Sequence, residues 1–315
     1  MLIDGQWTSD WQPVQATDGE GGFVRQVSSF RNWVTPDGGP GPTGTGGFEA
    51  ERDRYHLYVA LICPWASRTL IARRLKGLEG VVGLSIVDPR LSDQGWRFDG
   101  YPGATPDTVN GRTFLHEIYT SADPRFTGRA TVPVLWDKKR ATIVNNESAD
   151  ILRMVNSGFG DVADPGIDLY PEALRAGIDR WNDRLYPSLN NGVYRAGFAT
   201  TQGAYERAFH EVFAALDEVE AHLQTRRFLV GERLTEADIR LFVTLVRFDV
   251  AYHGLFKCNL RRIADYPALA EYARRMLAIP AIRETVDIDH IKQGYYAIKA
   301  LNPTGIVPFG PDRIF

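Results

Sequence analysis

Cys63 stands in Cys63-Pro64-Trp65-Ala66, between an apolar run and a stretch with helical spacing. Pro64 suits the first position of a helix, where a missing N–H forfeits no intrahelical partner. At such an end the outward N–H groups and the helix dipole are positive. A thiolate is stabilised there, so the Cys63 thiol is expected below its free value of about 8.5. The thiolate is the form that attacks a sulfur. Ala66 stands where a dithiol oxidoreductase carries its second cysteine, so the motif cannot resolve a mixed disulfide by itself. The resolving thiol must come from solution, and glutathione is the obvious cytosolic candidate. An arbitrary cysteine is more often a buried structural residue. The strand-to-helix turn and the following proline favour chemistry at this one. Cys258, in Phe256-Lys257-Cys258-Asn259, has no comparable setting and reads as structural.

Two further pairs could complete a binding site. Val132-Pro133 opens an apolar run, and a proline at the start of a strand is tolerated at an edge or in a special conformation. A cis bond there would turn the Val132 backbone outward, free to pair with a peptide-like ligand as an added strand. Glu147-Ser148 precedes another helix. Ser148 would place a hydroxyl and free N–H groups where an anion docks, and Glu147 could receive an amino group. Taken alone, ordinary N-capping explains this pair better. Taken with Cys63 and Val132, it outlines a site for a zwitterionic peptide. The histidines (His56, His116, His210, His222, His253 and His290) form no ligand pair at helical spacing, which argues against a metal.

The elements that must position these residues follow from hydrophobic periodicity. His56–Ile62 is nearly continuous apolar sequence, as in a strand buried on both faces. Ser67–Leu78 has helical spacing, and Val81–Val87 is a second buried strand, so the crossover implies parallel pairing. Asp88 to Gly128 is polar and rich in Gly, Pro and Asp, and is expected to be a long loop without regular structure. Thr131–Trp136 and Ala141–Val144 flank a polar turn and predict a hairpin, followed by a helix from Ser148 to Val155. The total is an α/β layer with a mixed sheet. Beyond Pro171 the pattern is helical. Ala204–Leu223 and Pro267–Leu277 each show one apolar face, and Thr235-Glu236-Ala237-Asp238 has the form of a capping box. The expected domains are an arm over 1–50, an α/β domain over 51–156, an all-helical domain over 170–300 and an irregular tail over 301–315. Regular structure is expected to begin near Arg54, because GGPGPTGTGG from Gly38 to Gly47 has little preferred structure. No Gly-Lys-Ser/Thr follows those glycines, so they do not form a phosphate-binding loop.

Bulk composition narrows the function classes. Hydrophobic residues at 44% and charged residues at 24% describe a globular protein large enough to fold without disulfides or metal. A net charge of −3 gives no reason to expect nucleic acid or an anionic membrane as partner. Two cysteines in 315 residues suit a reducing compartment, and neither a signal peptide nor an apolar run of about 20 residues is visible. A cytoplasmic location is the expectation.

These elements resemble the thioredoxin-like half of glutathione transferases: a Cys motif at the first helix, Val-Pro before the third strand, an acid-Ser pair before the next helix. Longer segments are more specific. CPWASRTLIARRLKGLE, GRATVPVLWD, IVNNESADILRM, NNGVYRAGFATTQ, LTEADIRLFVTLVRFDVAYHGLFKCNLRRIADYP and DHIKQGYY closely resemble the glutathionyl-hydroquinone reductases, the xi class of that superfamily. The likeness runs from about residue 30 to the C-terminus and includes Gln94-Gly95-Trp96-Arg97-Phe98 and NPTGIVPFGP. Ser67 departs from the histidine common there. It lies on the helix beyond the nucleophile, so little consequence is expected.

The resemblance implies a glutathione transferase fold, a thioredoxin-like N-terminal domain with an all-α C-terminal domain. It makes Cys63 the nucleophile and Tyr194 the acid/base residue. It assigns Trp96, Arg129, Val132, Glu147 and Ser148 to glutathione, and it places Tyr252 and Tyr295 near the thiol and the aromatic substrate. On spacing alone the three tyrosines would read as core or helix-face residues. The implied reaction reduces glutathionyl-hydroquinones through a Cys63–glutathione mixed disulfide, with glutathione as cosubstrate, no permanent cofactor and a homodimer. A general thioltransferase or dehydroascorbate reductase would use the same cysteine chemistry. A non-catalytic glutathione-binding module is the alternative of another class. The residues do not specify the physiological quinone, nor whether the role is catabolic or protective.

Overall fold

In the computed structural model, which describes residues 1–8 and 16–315, the chain divides into two units. The described part of the first comprises residues 1–8, Val27–Asp168 and Thr285–His290; that of the second comprises 16–26, Leu169–Glu284 and Ile291–Phe315.

In the first unit, β1 (Leu2–Ile3) pairs antiparallel with β2 (Gln6–Trp7), and β3 (Trp33–Thr35) pairs parallel with β4 (Gly47–Glu49). Backbone pairing thus starts well before Arg54. Trp33, Val34 and Phe48 are buried. The glycine-rich stretch packs through its backbone, since a Cβ on Gly47 would lie 2.0 Å from the Gly39 carbonyl oxygen. Composition suggested a segment that cannot pack, because it does not register backbone-to-backbone contact.

The central sheet has four strands, β5 (Tyr55–Val59), β6 (Val82–Ile86), β7 (Val134–Asp137) and β8 (Thr142–Asn145), in the order β6-β5-β7-β8. β5 runs parallel to β6, with Leu57 opposite Leu84, and antiparallel to β7, with Leu57 opposite Leu135. Every residue of β5 is buried, which accounts for its uninterrupted apolar character. The crossover from β5 to β6 is α1 (Pro64–Leu75), which begins at Pro64, the residue expected at its first position. Leu70, Ile71, Ala72 and Leu75 of α1 are buried.

The segment expected to be one long loop contains α2 (Leu115–Ala122). Glu117 accepts hydrogen bonds from the Thr113 and Phe114 amides at 3.0 and 2.8 Å, fixing the first turn. Leu115, Ile118 and Tyr119 face inward. Their spacing was a legible signal, but eight residues amid Gly- and Pro-rich flanks carry too little periodicity to stand out. α3 (Ser148–Arg153) follows β8 and continues as a π-turn over Met154–Gly158.

Two buried polar pairs involve β5. His56 Nε2 lies 2.8 Å from Ser85 Oγ, and Tyr58 donates its hydroxyl to Asp107 at 2.9 Å. Burial is the main cause that pushes the His56 imidazole down to about 4 from 6.5. The folded chain therefore refuses a proton that the unfolded chain accepts. This contribution to stability is complete above about 6.5 and is lost as pH falls through about 4. Denaturant melts at pH 7 and pH 4 should differ by about 3 kcal/mol more in the native chain than in His56→Gln. Equal differences in the two chains would show that His56 is not the group responsible.

The second unit is helical: α4 (Arg175–Leu185), α5 (Gly192–Gly197), α6 (Gln202–Leu223), α7 (Glu236–Arg247), α8 (Pro267–Leu277) and α9 (Pro280–Arg283). α10 (Ile288–Tyr296) begins in the first unit and ends in this one. Val212, Phe213, Leu216, Val219 and Leu223 form the buried face of α6. The capping box expected at α7 is present. Asp238 accepts from the Thr235 amide and hydroxyl, each at 2.9 Å, and its other oxygen accepts from the Tyr272 hydroxyl at 3.0 Å. Residues 301–315 contain neither helix nor strand. Among the described residues, no helix is long and apolar enough to cross a membrane.

Candidate functional site

Cys63 is the N-cap of α1, with Pro64 at the first helical position and extended backbone angles of φ −78° and ψ 117°. The Ser67 amide and hydroxyl both donate to the Cys63 carbonyl, at 3.0 and 3.1 Å, which fixes the first turn. Its side chain makes no capping hydrogen bond to α1. The sulfur is half-buried and lies 3.6 Å from the Val132 carbonyl oxygen. A sulfur there meets the positive end of α1 on one side and an extended backbone edge on the other.

The Val132-Pro133 bond is cis. One residue earlier, Thr131 is held by Tyr119 of α2. The Tyr119 hydroxyl donates to the Thr131 carbonyl at 2.8 Å and accepts from the Thr131 amide at 3.2 Å. It also accepts from Asn146 Nδ2 at 3.1 Å. One buried phenol thus ties the backbone beside Val132 to the side chain of Asn146, next to Glu147. Burial raises the Tyr119 pKa, so it stays a neutral hydroxyl. Sequence reasoning missed Tyr119, because it lies on the helix that was read as loop.

α3 begins at Ser148 as expected, and its N-cap is Glu147. Glu147 has extended angles of φ −99° and ψ 119°, and its Oε1 accepts from the Ala149 amide at 3.1 Å. Its Oε2 accepts from the Ser28 hydroxyl at 2.9 Å. Ser148 is the first helical residue, buried, with its Oγ 3.4 Å from Glu147 Oε1. The extended backbone of Glu147 just before the helix gives the acid the capping role. Asp150, in the same first turn, is clamped by Arg31 at 2.5 and 3.1 Å and by Asn145 at 3.1 Å. The N-terminal region therefore braces this helix start.

The remaining assigned residues lie on flanking segments of the same unit. Trp96 is half-buried, follows Gly95 at φ +78°, and its carbonyl accepts from the Leu115 amide that opens α2. Arg129 follows Gly128, whose backbone exchanges hydrogen bonds of 2.9 and 3.0 Å with Leu2. The Arg129 charge helps to lower the pKa of the Met1 amino group, after burial.

In the second unit, Tyr194 of α5, Tyr252 after α7 and Tyr295 of α10 join through their hydroxyls, with Tyr295 at 2.6 Å from Tyr194 and 2.8 Å from Tyr252. Tyr252 and Tyr295 are fully buried, whereas Tyr194 is half-buried. Burial raises both buried phenols well above their ordinary range, and negative charge on Tyr194 raises them further. Gly197 leaves room for Phe256, since a Cβ there would lie 2.3 Å from that ring. Phe256 in turn lies edge-on to Tyr194 at 5.4 Å.

Cys258 is buried, and burial pushes its thiol up to about 12, which makes it chemically inert at neutral pH. Among the described residues, no group of three or more His, Cys, Asp or Glu could hold a metal ion.

Comparison with known proteins agrees with this geometry. Residues 62–157 match the glutathione S-transferase N-terminal domain family, and residues 202–275 match the corresponding C-terminal domain family. The chain is 53% identical to glutathionyl-hydroquinone reductase YqjG of Escherichia coli K12, over 99% of this chain and 95% of that one. It is 50% identical to glutathionyl-hydroquinone reductase PcpF of Sphingobium chlorophenolicum, over 99% and 96%. The glutathione-bound structure of the E. coli protein superposes with a TM-score of 0.91 at 51% identity, covering 99% of this chain and 96% of that one. The xi transferase of Phanerochaete chrysosporium superposes with a TM-score of 0.90 at 46% identity, covering 96% and 98%. With Cys63 at the start of α1 and both transferase domains present, the chain belongs to the glutathione transferase family, in its xi class with the glutathionyl-hydroquinone reductases.

Proposed function

We propose that this chain reduces glutathionyl-hydroquinones to hydroquinones at the expense of glutathione. The observation that carries the reading is Cys63 Sγ at the N-terminus of α1, 3.6 Å from the Val132 carbonyl, in a chain 53% identical to a glutathionyl-hydroquinone reductase. The Cys63 thiolate attacks the glutathione sulfur of the conjugate. The bond from that sulfur to the aromatic carbon breaks, its electron pair stays on carbon, and carbon takes a proton from Tyr194. Hydroquinone leaves, and Cys63 holds glutathione as a mixed disulfide. A second glutathione, as thiolate, attacks the glutathione sulfur of that disulfide, releasing oxidised glutathione and the Cys63 thiolate. The ring carbon is reduced, and two glutathione sulfurs are oxidised to one disulfide.

Residues 51–156 serve as the glutathione-binding domain and 170–300 as the substrate domain. Trp96, Arg129, Val132, Glu147 and Ser148 hold glutathione, with Val132 supplying backbone pairing, Arg129 charge and donors, and Glu147 with Ser148 the γ-glutamyl end. Tyr252 and Tyr295 line the aromatic substrate. Glutathione is a cosubstrate and no cofactor is resident. The working form is a cytoplasmic homodimer. Steady-state turnover tests the activity. Glutathionyl-menadiol should be reduced with ping-pong kinetics and a higher kcat/KM than dehydroascorbate. A preference for dehydroascorbate would assign the chain to general thiol transfer, and retention on glutathione-agarose without turnover would make it a binding module.

A further inference from the structure

Residues 16–26 precede all the helices of the second unit in the chain, yet belong to that unit. The Thr200 amide donates to the Gly21 carbonyl at 3.0 Å and the Thr201 hydroxyl to the Glu20 carbonyl at 2.7 Å, while Arg207 pairs with Glu20 at 2.7 Å. This anchoring delivers Phe23 and Arg25 to the ring of Tyr194. The Arg25 guanidinium carbon lies 4.7 Å from the Tyr194 ring centroid and 5.2 Å from that of Phe23. Its Nε donates to Asn191 Oδ1 at 2.8 Å, and Asn191 is the residue from which α5, the helix carrying Tyr194, begins. Phe23 itself is buried and stacks at 6.3 Å on Tyr194 and at 5.6 Å on Phe198.

Two consequences follow. A planar guanidinium held by Asn191 fixes the Tyr194 ring, and hence where its hydroxyl points. A permanent cation beside the ring also favours the ring when it carries negative charge, as it does once the proton has left. The hydroxyls of Tyr252 and Tyr295 also face Tyr194, and the charge of Arg247 reaches those two as well. We propose that Arg25, on the N-terminal segment, is a positioning residue that acts through Tyr194, holding its ring and keeping its hydroxyl the proton donor of the trio. This rests on the reductase reading above.

The test uses the full-length chain with Arg25→Met, which keeps the apolar stem, and Arg25→Lys, which keeps the charge. Two reactions are compared, reduction of glutathionyl-menadiol and reduction of the mixed disulfide of glutathione with 2-mercaptoethanol. The second needs the Cys63 thiolate but no proton on carbon. Arg25→Met should lower kcat for glutathionyl-menadiol about tenfold. It should also move the alkaline limb of the kcat–pH profile up by about half to one unit. Disulfide reduction should change less than about twofold, and Arg25→Lys should restore most of the lost kcat. An unshifted limb, equal losses in both reactions, or a lysine variant no better than methionine would each overturn the proposal. Absence of glutathionyl-menadiol turnover in the native chain would instead overturn the reductase reading. The inference is then decided by ultraviolet titration of tyrosinate. The tyrosinate signal lost in Tyr194→Phe, and so assigned to Tyr194, should titrate higher in Arg25→Met, and an unchanged midpoint would refute the role of Arg25.

Discussion

Replacing Cys63 with serine should lower glutathionyl-hydroquinone turnover on the order of a thousandfold or more. A serine hydroxyl is a far weaker nucleophile than a thiolate at neutral pH. It also cannot form the sulfur–sulfur bond that the second glutathione must break, so both displacements fail together. The native chain, given substrate but no further glutathione, should carry one glutathione on Cys63 and none on Cys258. The contrast follows from the two environments. Cys63 is half-buried at a helix N-terminus, whereas Cys258 is sealed in the core with its thiol pushed up to about 12. Mass spectrometry of the intact and digested chain reads the adduct directly. Substantial turnover in Cys63→Ser, or an adduct on Cys258 instead, would exclude the mechanism.

The Tyr194→Phe chain should lose about a hundredfold to ten-thousandfold in hydroquinone release, the range of a positioned proton donor. Reduction of a simple glutathione disulfide should persist, because sulfur leaves without needing a proton on carbon. The substitution keeps the ring, so its packing against Phe198 and Phe256 survives; what is removed is the hydroxyl bonded to Tyr295 at 2.6 Å. Neither neighbour substitutes readily. Tyr252 and Tyr295 are fully buried and their phenols are raised well above the ordinary range. Full retention of hydroquinone release would remove Tyr194 from the mechanism, and equal losses in both reactions would make its hydroxyl structural.

The N-terminal region illustrates where composition misleads. Its glycines and polar residues describe an arm, yet Arg31 clamps Asp150 in the first turn of α3, Ser28 reaches Glu147, and Leu2 pairs with Gly128 beside Arg129. Each contact joins positions roughly a hundred residues apart or more, where no period or local signal can register. α2 is a different case. Its Leu115, Ile118 and Tyr119 spacing and Glu117 cap were legible, but two turns of helix between loops lie near the limit of what periodicity resolves.

What the amino-acid order determined by itself was local. The thiol before Pro64, the buried-strand runs, the hairpin and the box from Thr235 to Asp238 depend on residues within a few positions of one another. Their chemistry follows from propensity, capping and the missing proline N–H. Tertiary structure alone decided that Cys63 Sγ meets the carbonyl of Val132, 69 positions away, and that Tyr119 ties Thr131 to Asn146. It also decided that three tyrosines from separate helical segments share their hydroxyls. Such contacts depend on which faces pack together, and that is settled by burial of the whole chain rather than by any stretch of it.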